Sequence, residues 1–238
     1  MNTTMSLDIP DRLVDTEIEE PRTLIETAYR QLRRDIIDGR HPAGQKLRVE
    51  HLKFQYQVSA GTLREAMALL VSDSLVVSQG QRGFSVAPMS LADLEDLTRV
   101  RVLLECEAVE ESIRLGRDSW EADLVSAFHK LSLAEERLHT DAAGTFDEWE
   151  ERNRQFHEAL VAACRSGWLR KLRAQLYQQT ERYRRLSALK GPPPVEVHEE
   201  HRNIFNAVMA RDAAKAKALL AAHIHRALTV IRTAGFLK

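Results

Sequence analysis

Four polar residues fall on stripes that are otherwise apolar. In 146–164, Trp149, Asn153, His157 and Leu160 recur at spacings of three and four, which sets them on one helical face. Asn153 and His157 are four apart, so their side chains converge. In 195–210 one face holds His198, His201, Phe205 and Val208, and in 212–233 one face holds Leu220, His223, Ala227 and Ile231. Neutral imidazole is the commonest metal ligand, and three of them with one oxygen donor suit Zn²⁺ or a similar divalent ion. Taken singly, each histidine is better explained by a core imidazole bonded to a backbone carbonyl. Their joint occurrence on three inward faces favours a ligand set of Asn153, His157, His201 and His223. His198 is the weaker candidate, assigned to orienting His201 from behind. His225 lies about 200° round the helix from His223 and should meet solvent. His41, His51, His129 and His139 have no comparable context.

Arg101 sits beside Val100 and Leu104 rather than on an outer face. A guanidinium there can fork a ligand carboxylate. It can equally form an i, i+4 pair with Glu105, and the sequence leaves both readings open.

These residues need helices to position them, and from residue 91 onward only helical periodicity is found. The segments are 91–115, 120–138, 146–164, 168–189, 195–210 and 212–233, with the short links expected between antiparallel neighbours. The first carries Leu94, Leu97, Val100, Leu104, Ala108 and Ile113 as its apolar stripe. Gly191-Pro192-Pro193-Pro194 breaks the fourth from the fifth.

The stretch from Leu47 to Val86 has a different organisation. A short helix (49–57) and a turn at Val58-Ser59 precede a second helix (60–72) with Leu63, Ala66, Met67 and Leu70 on one face. Ser59 is a good N-cap. The period then changes to two, with Leu75 and Val77 in one run and Phe84 and Val86 in the next, and with Gly80 and Gly83 between them. An amphipathic helix over 24–38 comes before all of this and is stopped by Gly39 and Pro42. Helix, turn, helix and hairpin is the order of a winged helix-turn-helix. Its second helix starts with small residues and projects Arg64 opposite the apolar face, where an arginine can pair with guanine. Arg82 at the hairpin tip can reach a phosphate or the minor groove. An ordinary helical core with solvated arginines is the competing reading.

At 238 residues the chain suits two modest domains. The net charge of −1 conceals an asymmetry: 21–88 holds ten Lys or Arg against six Asp or Glu, whereas 1–20 holds one against six. The basic share falls where DNA would bind. We therefore expect a mobile acidic arm (1–20), a DNA-binding domain (21–88) and an all-helical domain (89–238). There is neither a run of about 18 apolar residues nor a signal-peptide pattern, which predicts a cytoplasmic protein without membrane contact. Cys106 and Cys164 make no disulfide or metal spacing and are expected as free thiols.

Gly44, Leu47, Val58-Ser59, Arg64-Glu65-Ala66 and Arg82-Gly83 resemble the GntR family of bacterial transcription regulators. That resemblance places Arg48, Thr62, Arg64, Arg82 and Gly83 at DNA-contacting positions, and Ser59 is a further DNA-binding candidate. Ala60 departs from the family, which has Arg directly after the Ser. The later segments resemble the FadR-type effector domain, the FCD domain. Asn153-x-x-Phe156-His157 is similar to its Asp-x-x-Phe-His motif, His201 and His223 follow at the later two positions, and Arg101 to Glu105 is similar to its Arg-x-x-x-Glu. The resemblance implies a homodimer on a pseudo-palindromic operator. It also implies a divalent metal, zinc before nickel or manganese, and a small carboxylate effector near the metal and Arg101. Asn in place of Asp keeps the oxygen donor and removes a charge. The fold expected is mostly α, a winged helix-turn-helix followed by an FCD bundle. The runner-up function is a metal-dependent enzyme with an accessory DNA-binding domain.

Overall fold

The computed structural model describes residues 23–80, 83–140, 142–188, 196–235 and 237, with no side chains described for 139, 140, 142 and 143. The acidic arm and the Gly-Pro break expected from the sequence lie outside these residues.

Local signals set the first helix, α1 (Leu24–Ile37): the Thr23 hydroxyl accepts from the Glu26 amide, and Gly39 follows the end at φ 76°. Next come β1 (Lys46–Leu47), α2 (Val49–Gln55) and α3 (Ala60–Ser72). Ser59 caps α3 as expected, its Oγ 3.0 Å from the Thr62 amide. The hairpin is β2 (Val76–Ser78) and β3 (Phe84–Val86), and Gly80 and Gly83 take φ of 58° and 86° in its turn, which a side chain would strain. The strands form one antiparallel sheet in the order β1-β3-β2, with Lys46 opposite Ser85 and Val77 also opposite Ser85 on the other side. β1 is too short to leave a periodic signal. Leu32 and Ile36 of α1, Leu63, Met67 and Leu70 of α3, Leu75 just before β2, and Val76 and Val86 of the sheet close one core. Val76, not Val77, points inward, because the strand starts one residue later than the alternation implied.

The remaining helices are α4 (Leu91–Leu115), α5 (Asp118–Thr140), α6 (Ala142–Leu160), α7 (Gly167–Ala188), α8 (Glu196–Met209) and α9 (Ala213–Ala234). Ser90 caps α4 and Asp212 caps α9 through their side-chain oxygens. The pairs α5–α6, α4–α9, α4–α7 and α8–α9 pack side by side. Phe156, Leu131, Leu160, Ile204 and Leu220 lie fully buried in the shared core, with Phe128 stacked on Phe205 at 4.4 Å. No helix among the described residues is long and apolar enough to cross a membrane. Both cysteines are free, and the Cys164 thiol donates to Glu111.

α4 departs from its expected stripe. The buried face carries Thr98, Arg101, Glu105 and Ser112 with Leu94, Ala108, Val109 and Ile113, while Leu97, Val100 and Leu104 are half-buried and Leu103 is exposed. Hydropathy periodicity assumes that polar residues avoid the core. Here Arg101 and Glu105 turn inward because they pair with each other, and Arg101 also donates to Thr180 of α7.

Candidate metal centre and DNA interface

His157 is presented by α6, His201 by α8 and His223 by α9, and one nitrogen from each lies within 4.8 Å of the others. Their rings are 4.6 Å (His201–His223), 5.2 Å (His157–His223) and 5.7 Å (His157–His201) apart. Asn153 precedes His157 by one turn and is buried in the same cavity wall. The four residues that the sequence grouped are therefore brought together.

Each imidazole has a carboxylate behind it. His201 Nδ1 is 2.6 Å from Glu135 Oε1, His223 Nδ1 is 2.8 Å from Glu200 Oε2, and His157 Nδ1 is 3.7 Å from Glu105 Oε2. A carboxylate hydrogen-bonded to Nδ1, as in His201 and His223, fixes the tautomer and leaves Nε2 as the lone-pair donor; His157 Nδ1 makes no such bond. His201 Nε2 is buried with no hydrogen-bond partner. The Asn153 amide donates through Nδ2 to Tyr177 Oη at 2.8 Å, which leaves Oδ1 buried and unpartnered. Unsatisfied buried acceptors cost about 1–3 kcal/mol each, so two of them facing one cavity ask for a ligand. Burial pushes His223 down to about 4 and holds His157 well below the ordinary histidine range, so both rings are neutral donors near pH 7. These donors fit a divalent ion of zinc type.

Sequence reasoning missed the supporting carboxylates Glu135 and Glu200, which sit on other turns or other helices. Glu105 was noticed only as a partner for Arg101. His198 does not reach His201: its Nδ1 binds Glu135 Oε2 at 2.7 Å, so the two histidines share one carboxylate. His225 is exposed, as expected.

The cavity beside these donors measures about 110 Å³. One wall is apolar, with Phe146, Trp149, Val197, Ile224 and Val230, and another carries Arg101, Arg184 and Arg226. Arg101 makes the pair with Glu105, through Nε at 2.9 Å and Nη2 at 2.6 Å, and its Nη1 donates to Thr180 at 3.0 Å. It reaches the cavity while already paired. Burial alone would raise the Glu105 carboxyl, but Arg101 and Arg173 beside it hold it well below the usual carboxylate range. Arg101, Arg173 and Arg184 surround the Tyr177 ring at 5.0, 5.0 and 4.4 Å.

In the small domain, Lys46, Arg48, Arg64, Gly80 and Gly83 line a second cleft, between the wing and the start of α2. Arg64 is more than half exposed, with Glu50 at 3.7 Å. Ser59 is exposed and Thr62 partly so, and the Thr62 hydroxyl lies 2.8 Å from Ser59 Oγ. Arg82 lies outside the described residues. An arginine that forks a guanine supplies roughly 1–3 kcal/mol of discrimination. Arg64→Ala is therefore predicted to leave the fold intact and to cut the ratio of operator to random-DNA affinity by about 5- to 150-fold. Competition binding reads that ratio, and an unchanged value would remove Arg64 from base recognition.

A winged helix-turn-helix fused to a helical domain with an internal polar cavity defines a DNA-binding transcription regulator. Residues 24–86 match the model of the bacterial regulatory proteins of the gntR family, and residues 96–226 match the FCD domain. The chain is 48% identical over 221 residues to the HTH-type transcriptional regulator BphR of Paraburkholderia xenovorans, covering 93% of this chain and 90% of the relative. It is 36% identical to the HTH-type transcriptional repressor GlaR of Escherichia coli, covering 87% and 94%. The fold is similar to that of E. coli McbR/YncC, with a TM-score of 0.70 at 22% identity, over 89% of this chain and 98% of that one. The chain belongs to the GntR family and carries an FCD domain. Its relatives are transcription regulators, not enzymes, which sets aside the enzyme reading.

Proposed function

We propose that the protein is a cytoplasmic, ligand-responsive regulator that binds a pseudo-palindromic operator as a homodimer through Arg48, Ser59, Thr62, Arg64, Arg82 and Gly83. Asn153, His157, His201 and His223 hold a divalent metal, zinc before nickel or manganese. A small carboxylate binds beside it, next to Arg101. The observation that carries this reading is the pair of orphaned buried acceptors, Asn153 Oδ1 and His201 Nε2, in one cavity with cationic walls. The domain division at 20 and 88 belongs to the same reading.

A route from cavity to DNA is supported by α7. One side of it brings Tyr177 and Arg184 to the cavity and Thr180 to Arg101. The other side holds the small domain: Glu181 pairs with Arg33, Arg185 with Asp38 at 2.8 Å, Arg182 donates to the Ala87 carbonyl at 2.9 Å, and Gln179 donates to the Asp73 carbonyl. α4 begins only a few residues after the wing and packs on α7. An acid that favours one packing of α4 and α7 thereby moves the reading helix relative to its dimer mate. Half-sites have a fixed separation, so the shift changes affinity. A coupling of about 1–3 kcal/mol is sufficient. Titrating operator DNA with and without an acid found by thermal-shift screening should give a 5- to 150-fold affinity difference, and identical curves would refute regulation by this route.

A further inference from the structure

Resting on that metal-and-acid reading, we infer that Arg226 is the second anchor of the acid, gripping through Nη2 a carboxylate that also faces the metal donors. Three guanidinium groups line the cavity. Every nitrogen of Arg101 is hydrogen-bonded, to Glu105 or Thr180, and every nitrogen of Arg184 is bonded to Glu150 or Thr180. Arg226 differs. Its Nε pairs with Glu200 Oε1 at 2.7 Å, while its Nη2 is buried without a partner.

Glu200 joins this free donor to the metal centre. Its other oxygen, Oε2, holds His223 Nδ1 at 2.8 Å. His223 and Arg226 are three residues apart on α9, one turn along the same face. One carboxylate thus orients a metal-facing imidazole and a guanidinium with a donor to spare. The neutral ligand set gives the anion a further reason to enter. Asn153 contributes no charge and the three imidazoles contribute none, so a divalent ion keeps its full charge among its ligands. An acid placed between that charge and Nη2 meets both, and Trp149, Ile224 and Val230 face whatever lies beyond its carboxylate. The ligand class is a small carboxylic acid with a short apolar body.

The test uses Co²⁺ as the metal probe and butyrate as the acid probe, with butyramide as the uncharged control, on the full chain. Co²⁺ absorption reports the coordination sphere. Arg226→Lys keeps a cation beside Glu200 and removes the forked second nitrogen. Arg226→Gln gives a second variant without charge, and thermal melts confirm that both fold. We expect butyrate but not butyramide to change the Co²⁺ spectrum of the wild type. In both variants half-saturation by butyrate should rise by about tenfold or more. Co²⁺ affinity in R226K should fall by less than the roughly tenfold that disturbing Glu200 would cost. Equal butyrate half-saturation in wild type and variants would overturn the anchor. So would a loss of Co²⁺ affinity in R226K as large as the loss for butyrate, which would reduce Arg226 to a support for Glu200. If wild type takes up Co²⁺ and butyrate leaves the spectrum unchanged, the anchor fails and the metal reading stands. If wild type takes up no Co²⁺, the metal reading itself fails.

Discussion

Replacing Glu105 by glutamine is expected to destabilise the protein by about 3–5 kcal/mol, a fall in Tm of roughly 6–20 °C. Glu105 is 1% exposed and faces two guanidinium groups that are nearly as buried, Arg101 at 2.6 Å and Arg173 at 3.8 Å. Glutamine keeps the shape and removes the charge. Both arginines then lose the carboxylate they pair with in the interior, and neither can deprotonate to escape. Desolvation makes such a broken pair far costlier than a surface one. Arg99→Ala supplies the contrast, because Arg99 and Asp96 are both about three-quarters exposed or slightly less, and its loss should change stability by no more than about 0.5 kcal/mol. Denaturant melts of the two variants measure the difference. Equal small effects would mean that the Arg101–Glu105–Arg173 cluster does not hold α4 against α7.

His201→Ala is expected to abolish metal retention, with affinity lower by more than about 100-fold, since changes behind a ligand already cost 10- to 100-fold. His201 is fully buried, its Nδ1 is held by Glu135, and its Nε2 has no other partner. Wild type should carry about one divalent ion per chain after dialysis. Asn153→Asp should act in the opposite direction, since it adds a negative charge to the same oxygen donor. Elemental analysis with a competing chelator tests all three proteins. Full metal occupancy in H201A would remove His201 from the ligand set.

The sequence and the structure agree where the signal is local. Ser59 caps α3 through an atom three residues away, and glycines at the hairpin turn carry the positive φ they permit. The i, i+4 placement of Asn153 and His157 is equally local, and the apolar faces of α8 and α9 carry His201 and His223 with them. What stays hidden depends on how two helices meet. Glu135 reaches His198 and His201 from 63 and 66 residues away, and no spacing rule foretells that. Arg226 looks like one more surface cation until Glu200 is seen beside it. The apolar stripe of α4 omits Thr98, Glu105 and Ser112, because hydropathy ranks polar residues as outward, whereas pairing with Arg101 lets Glu105 stay buried.

The proposed regulation requires an acid in the helical domain and operator DNA in the small domain to be energetically coupled. Linkage requires the coupling to be the same in both directions. The most direct measurement is a calorimetric titration of the metal-loaded protein with the screened acid, once alone and once saturated with operator. Operator is expected to change acid affinity by the same factor, between about 5- and 150-fold, by which acid changes operator affinity. Equal acid affinities in the two titrations would contradict it.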